Sequence, residues 1–237
     1  MNSPIYQLVN FFRSLQDAKL SIERLNEVQN HPKEEVTDLL KVSDIDNILI
    51  NDTKMDIVLS DVDFQYEGPK SPFVLKDINF SILNGKTTAI VGASGSGKTT
   101  LMKLLLKFYE PVHGDIHIHG TRLSDVSAKS WRGNCGVVMQ DGYIFSETLE
   151  RNIAMGDEEI DEEKLAHAIR VANIGDFVES LPLKLKTKIG AAGNGISGGQ
   201  KQRILIARAV YKNPSYIFFD EATSALDAEN EKIIHDN

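Results

Sequence analysis

The sequence predicts an α/β domain built on a mostly parallel sheet and preceded by one long amphipathic helix. Three observations carry that expectation. Short β-like runs alternate with helical ones from residue 56 onward, the order that a parallel sheet with crossover helices requires. One such run, TTAIVG, feeds directly into a glycine-rich turn followed by a helix. A long stretch, residues 147–212, holds no convincing strand and reads as a helical lobe inserted between two strands.

The amphipathic helix comes first. Ser3 and Pro4 supply a start signal, and Ile5, Leu8, Val9, Phe12, Leu15, Ile22, Leu25 and Val28 then recur at helical spacing. Arg13, Asp17, Lys19, Glu23 and Arg24 take the other face, so the helix cannot sit wholly in lipid. It is either an ordinary packing helix or one descending from a membrane domain upstream. The polar stretch QNHPKEEVTD, with Pro32, reads as a linker, which we place at residues 31–54 after a first segment of residues 1–30.

The strands follow. IVLSDVDFQY alternates apolar and polar residues as a half-buried strand does, and VLKDINFSIL is a second such run. TTAIVG is a short buried strand, TLMKLLLKFY a helix, DIHIHG another alternating strand, and VVMQ and SYIFFD two further buried runs. The sequence has neither an internal repeat nor a low-complexity tract.

Composition narrows the function classes. A net charge of −8 argues against nucleic-acid binding, which calls for a basic surface. The acids cluster at residues 34–63 and 157–163, as solvated faces and linkers do. The single cysteine, Cys135, excludes an internal disulfide and a cysteine-only zinc site; in CGVVMQ it reads as a core residue. No uninterrupted apolar run approaches the ~20 residues that span a bilayer.

The chemistry is concentrated in residues 92–100, GASGSGKTT, which fit the phosphate-loop pattern G-x-x-x-x-G-K-[ST]. Gly92, Gly95 and Gly97, with Ser94 and Ser96 between them, let the backbone curl so that its N–H groups face one anion. The helix beginning there adds its positive end, and Lys98 adds a full charge for the β- and γ-phosphates. Thr99 offers a hydroxyl to Mg²⁺, beside Thr100. A second acid-bearing strand end, YIFFDEAT, points Asp220 at the metal and places Glu221 to polarise an attacking water.

ISGGQ, residues 196–200, sits before the helical run KQRILIARAV. A serine and two glycines at a helix start form a second phosphate site, and one chain does not need two for one nucleotide. The pentapeptide resembles the signature motif of the ATP-binding cassette (ABC) family, with Ile196 where leucine is usual. Other landmarks fall in order over about three quarters of the chain. The resemblance implies a P-loop NTPase fold over residues 55–237, with an antiparallel β subdomain and an inserted helical subdomain. It implies ATP and Mg²⁺ as ligands and a head-to-tail dimer, in which Ser197, Gly198, Gly199 and Gln200 reach the partner's ATP. Tyr66 matches the aromatic that stacks on adenine, although a core tyrosine is the rival reading. Gln140 matches the glutamine that touches Mg²⁺ and water and leads toward a transmembrane partner. SALD, ending at Asp227, matches the loop that crosses the dimer interface; Arg132 and FYEPVHGDI also look like their exporter counterparts. Where many exporters carry a glutamate before the signature, this chain has Ala191, Ala192 and Asn194, so that contact to a membrane domain is in doubt.

Within the family the chain looks most like the peptidase-containing bacteriocin or peptide exporters. That likeness implies a place at the cytoplasmic face of a bacterial cell membrane, with the first helix as the end of the last transmembrane helix. His235 lies in AENEKIIHDN, an amphipathic helix, too early for the family's switch histidine. The expectation is therefore a chain cut before its last central strand, weakly stable and with little turnover alone. Two other functions remain in view: a soluble cassette ATPase without a transport role, and a nucleotide-gated binding module without catalysis. The histidines of HGDIHIHG suggest a metal, but a strand and turn explain them too, and Trp131 reads as packing.

Overall fold

The computed structural model describes residues 4–30, 39–43, 55–83, 85–190 and 195–220. Ala191, Ala192, Asn194, Glu221, Asp227 and His235 lie outside the described residues. The chain divides into two compact units, one through Thr37 and one from Asp38. The first consists, where described, of helix α1, Pro4–Gln29, whose Leu8, Phe12, Leu15 and Leu25 side chains are exposed. None of the described helices is long and apolar enough to cross a membrane.

In the second unit, β1 (Met55–Phe64), β2 (Leu75–Leu83), β3 (His113–Ile118) and β4 (Thr121–Arg122) form an antiparallel sheet in the order β2-β1-β3-β4. The apolar residues of β1 explain its shape. Ile57 and Leu59 are buried, and so are Val62 and Phe64, but a flat strand cannot put both pairs on one face, because Leu59 and Val62 differ by an odd number of residues. A bulge at Ser60 and Asp61 absorbs the mismatch, with Asp61 at φ 50°. Opposite it, Gly114 has φ 76°, and a Cβ there would lie 2.3 Å from the carbonyl oxygens of Ser60 and Asp61. The bulge therefore requires glycine at that position.

Helix α2, Lys98–Leu105, buries Leu101, Met102, Leu104 and Leu105 against this sheet's core. Helix α3, Ala128–Gly133, is capped by the Ser127 hydroxyl and buries Trp131, whose indole Nε1 donates to the Leu105 carbonyl at 2.7 Å. The expected packing role of Trp131 holds. Strands β5 (Cys135–Val138) and β6 (Tyr216–Phe219) pair in parallel, Cys135 opposite Tyr216 and Val138 opposite Phe219.

Between them come α4 (Leu149–Ile153), α5 (Glu162–Val171), α6 (Gly175–Ser180) and α7 (Gly198–Tyr211), around a second apolar cluster that includes Leu149, Ile153, Leu165, Ile204 and Ile206. Strand structure among the described residues of this stretch is limited to bridge residues at Thr148, Lys188 and Ile189, in keeping with the helical reading.

One expected element is not found. The run TTAIVG adopts no strand, and Ile90 and Val91 are 43% and 89% exposed. A strand exists only through a ladder with a neighbour, and none of the described strands pairs with this run. Among the described residues the parallel sheet accordingly comprises β5 and β6 alone.

Candidate nucleotide site

The phosphate loop closes at the start of α2. Gly95 and Gly97 have φ 79° and 92°, and Gly97 is the residue that caps the helix. A Cβ on Gly97 would fall 2.7 Å from the Leu75 side chain, and one on Gly92 would fall 2.6 Å from the Ser96 hydroxyl. At Gly97 the left-handed φ makes any side chain strained, whereas at Gly92 a Cβ would force the Ser96 hydroxyl to turn away. The Lys98 ammonium folds back over the loop and donates to the carbonyls of Gly92 at 2.9 Å and Ala93 at 3.0 Å. A lysine resting on its own loop is a cation held where an anion would draw it forward. Thr99 is exposed at the first turn, whereas Thr100 is buried and its hydroxyl meets that of Tyr66 at 2.9 Å.

The helix ends carry the electrostatics. Among the second unit's described helices of eight or more residues, α5 is capped by Asp161 and carries Glu162 and Glu163 in its first turn. Its own carboxylates answer its positive end. Neither α2 nor α7 has an acid in its first turn, so both positive ends remain for an outside anion. At α7, Ser197 caps the helix in a reciprocal box. Its hydroxyl accepts from the Gln200 N–H at 3.2 Å, and the Gln200 side-chain oxygen accepts from the Ser197 N–H at 2.9 Å. Gly198 has open space around it.

Gln140 and Asp220 lie at the same end of the parallel pair, two residues beyond Val138 and one beyond Phe219. The Asp220 N–H extends the ladder to the Val138 carbonyl at 2.9 Å, and its side chain is buried. These are oxygen donors, the type Mg²⁺ takes alongside phosphate oxygens.

Of the histidines in HGDIHIHG, His119 has a partner in the sheet. His119 meets the Tyr216 hydroxyl at 2.6 Å, and the described residues contain no group of three or more His, Cys, Asp or Glu side chains suited to a metal ion. Cys135 is fully buried, its thiol facing the Trp131 carbonyl, and burial pushes its pKa up to about 12.

Two residues emerge that the sequence reading passed over. Asn152, 1% exposed, donates to the carbonyls of Phe145 and Thr148 and accepts from the Phe145 N–H. Arg208 donates to the Asn152 carbonyl at 2.7 Å, the Tyr143 carbonyl at 2.9 Å and the Asn152 side-chain oxygen at 3.2 Å, with its guanidinium over the Phe145 ring. Together they clamp the segment after Gln140 onto α7. Burial lowers the Arg208 pKa from its ordinary value. An arginine inside the apolar run ILIARAV was the available signal, since such a charge is retained only with buried partners.

Residues 75–224 match the family model described as ABC transporter. The chain belongs to the ABC transporter family. It is 39% identical over 235 residues to the toxin RTX-I translocation ATP-binding protein of Actinobacillus pleuropneumoniae, covering 99% of this chain and 32% of that protein. It is 38% identical to the leukotoxin translocation ATP-binding protein LktB of Mannheimia haemolytica over the same shares. This ABC chain thus spans about a third of the length of the curated relatives it matches. Among solved structures it resembles a bacterial Atm1-family ABC exporter with ATP bound, with a TM-score of 0.80 and 31% identity over 98% of this chain and 39% of that one. The chain has the ABC ATPase fold, a mixed α/β architecture with an antiparallel sheet.

Proposed function

We propose that this ABC domain binds and hydrolyses ATP to power export across a bacterial cell membrane from its cytoplasmic face. The observation that carries the proposal is the pair of carboxylate-free helix ends, one behind the glycine cradle and Lys98, the other behind Ser197. Two anion sites on one chain suit a head-to-tail dimer. Residues 92–100 of one copy hold the triphosphate, and Ser197, Gly198, Gly199 and Gln200 of the other close over it, with Asp227 at the interface. Tyr66 stacks on adenine. Mg²⁺, held by Thr99, Gln140 and Asp220, would supply charge neutralisation at the phosphates. Glu221 takes the proton of the attacking water, and Lys98 stabilises the charge that develops on the phosphoryl oxygens.

The finer architecture belongs to the same reading: residues 55–237 form the ATP-binding domain, with a mostly parallel core sheet and an inserted helical subdomain. Residues 1–30 form the end of a transmembrane helix and 31–54 the linker. Beside the Gln140 segment lies a groove of about 370 Å³ lined by Phe145, Glu147, Arg151, Ala154, Met155, Gly156 and Asp157. Phe145 and Met155 are 43% and 53% exposed there, which suits docking of the transporter's membrane domain. The names of the toxin-translocation relatives point to a polypeptide cargo.

The test is association driven by ATP. Glu221→Gln is expected to bind Mg-ATP, to lose hydrolysis, and to accumulate as a dimer by light scattering. Replacing Gly198 with Asp, which puts a carboxylate at the positive end of α7, abolishes that dimer. A Glu221→Gln chain that stays monomeric at saturating Mg-ATP, or one that matches a parent showing measurable turnover, overturns the reading.

A further inference from the structure

We propose that Tyr109 is a positioning residue of the nucleotide site, holding the Tyr66 ring in the plane on which adenine stacks. The proposal rests on the reading of Tyr66 as the adenine platform and goes beyond it. Tyr66 sits two residues past the end of β1, where a tyrosine left to itself would sample several rotamers. Three contacts hold it. Its hydroxyl meets Thr100 Oγ1 at 2.9 Å, in the first turn of α2. The Phe64 ring lies 4.9 Å away at 83°, and the Tyr109 ring 5.3 Å away at 90°. In perpendicular pairs the positive edge of one ring meets the negative face of the other. Two such neighbours and a hydroxyl anchor define both the tilt and the reach of Tyr66.

Phe64 is core, at 3% exposed, whereas Tyr66 and Tyr109 are 45% and 43% exposed. Tyr66 therefore keeps ring surface open to a ligand while Phe64 and Tyr109 pack against it. Tyr109 is itself fixed. The Val112 N–H bonds the Asp63 carbonyl at 2.8 Å and staples the segment to the end of β1. On its other side Arg132 donates to the Lys107 carbonyl at 3.0 Å, with its guanidinium 5.2 Å from the centre of the Phe108 ring. Immobilising Tyr66 before a ligand arrives removes that ordering cost from binding. The Tyr109 ring contact touches neither the Gly92–Gly97 cradle nor the Lys98 ammonium, so its loss acts on the base.

Calorimetric titration of this chain with Mg-ATP and with Mg-tripolyphosphate, which has the phosphates but no base, tests the proposal. Tyr109→Leu, which keeps bulk without a ring, is expected to weaken ATP binding about three- to tenfold, the size of one aromatic pair. Tripolyphosphate affinity stays at the parent value, and Tyr109→Phe restores ATP binding. Tyr66→Leu weakens ATP at least as much. If Tyr109→Leu binds ATP like the parent while Tyr66→Leu does not, Tyr109 has no positioning role. Equal weakening of both ligands by Tyr109→Leu also overturns it, since the damage is then to the fold. An unchanged ATP affinity in Tyr66→Leu removes the adenine platform itself, a separate failure.

Discussion

Cys135 and Gly114 illustrate how differently single residues declare themselves. The cysteine sits in CGVVMQ, and its apolar neighbours were enough to place it in the core. Its chemistry follows from that burial. Burial raises the native thiol's pKa from 9.0 to about 12, so the unfolded chain ionises first. The unfolded state therefore gains ground as pH rises past 9, and the stability this residue contributes is complete below that value and falls toward 12. By pH 10 the loss reaches about 1 kcal/mol. Urea unfolding at pH 7 and pH 10 is expected to show that additional loss in the parent and not in Cys135→Ser; equal slopes with pH in the two chains contradict it. Gly114, by contrast, read only as a letter in HGDIHIHG. Its necessity comes from the bulge in β1 packed opposite, a contact between segments that one sequence does not reveal.

The secondary-structure elements were legible wherever local pattern decides. Periodicity located α1, α2 and α7, and alternation located β1, β2 and β3, because burial of one face is written in the order of residues. TTAIVG has an apolar run and a flanking glycine turn, yet it forms no strand among the described residues, because pairing is a property of neighbours. The clamp of Asn152 and Arg208 was missed for a related reason: most of its acceptors are main-chain carbonyls, whose positions no side-chain pattern marks. It ties α7 to the segment after Gln140 through three hydrogen bonds from one guanidinium. Arg208→Met is expected to destabilise the chain by about 2 kcal/mol or more, with Arg208→Lys recovering less than half, because an ammonium cannot span acceptors arranged for a planar fork. Full recovery by lysine in urea unfolding would reduce the clamp to a simple charge.

For the molecule as a whole, motif spacing carried most of the function, and the family match over residues 75–224 agrees with it. What spacing did not carry is how the pieces are held: the Ser197–Gln200 capping box, the Tyr66–Thr100 contact and the resting place of Lys98 are all tertiary or cap geometry. The central claim is that residues 92–100 form a working nucleotide cradle. A thermal melt with and without Mg-ATP, on the parent and on Lys98→Met, tests it most directly. A ligand at about 100 times its Kd stabilises the native state by about 2.7 kcal/mol, which in a domain of this size raises Tm by about 5–10 °C. We expect that rise in the parent and its loss in Lys98→Met. A melt indifferent to Mg-ATP, or one that shifts equally without the lysine, would contradict the claim.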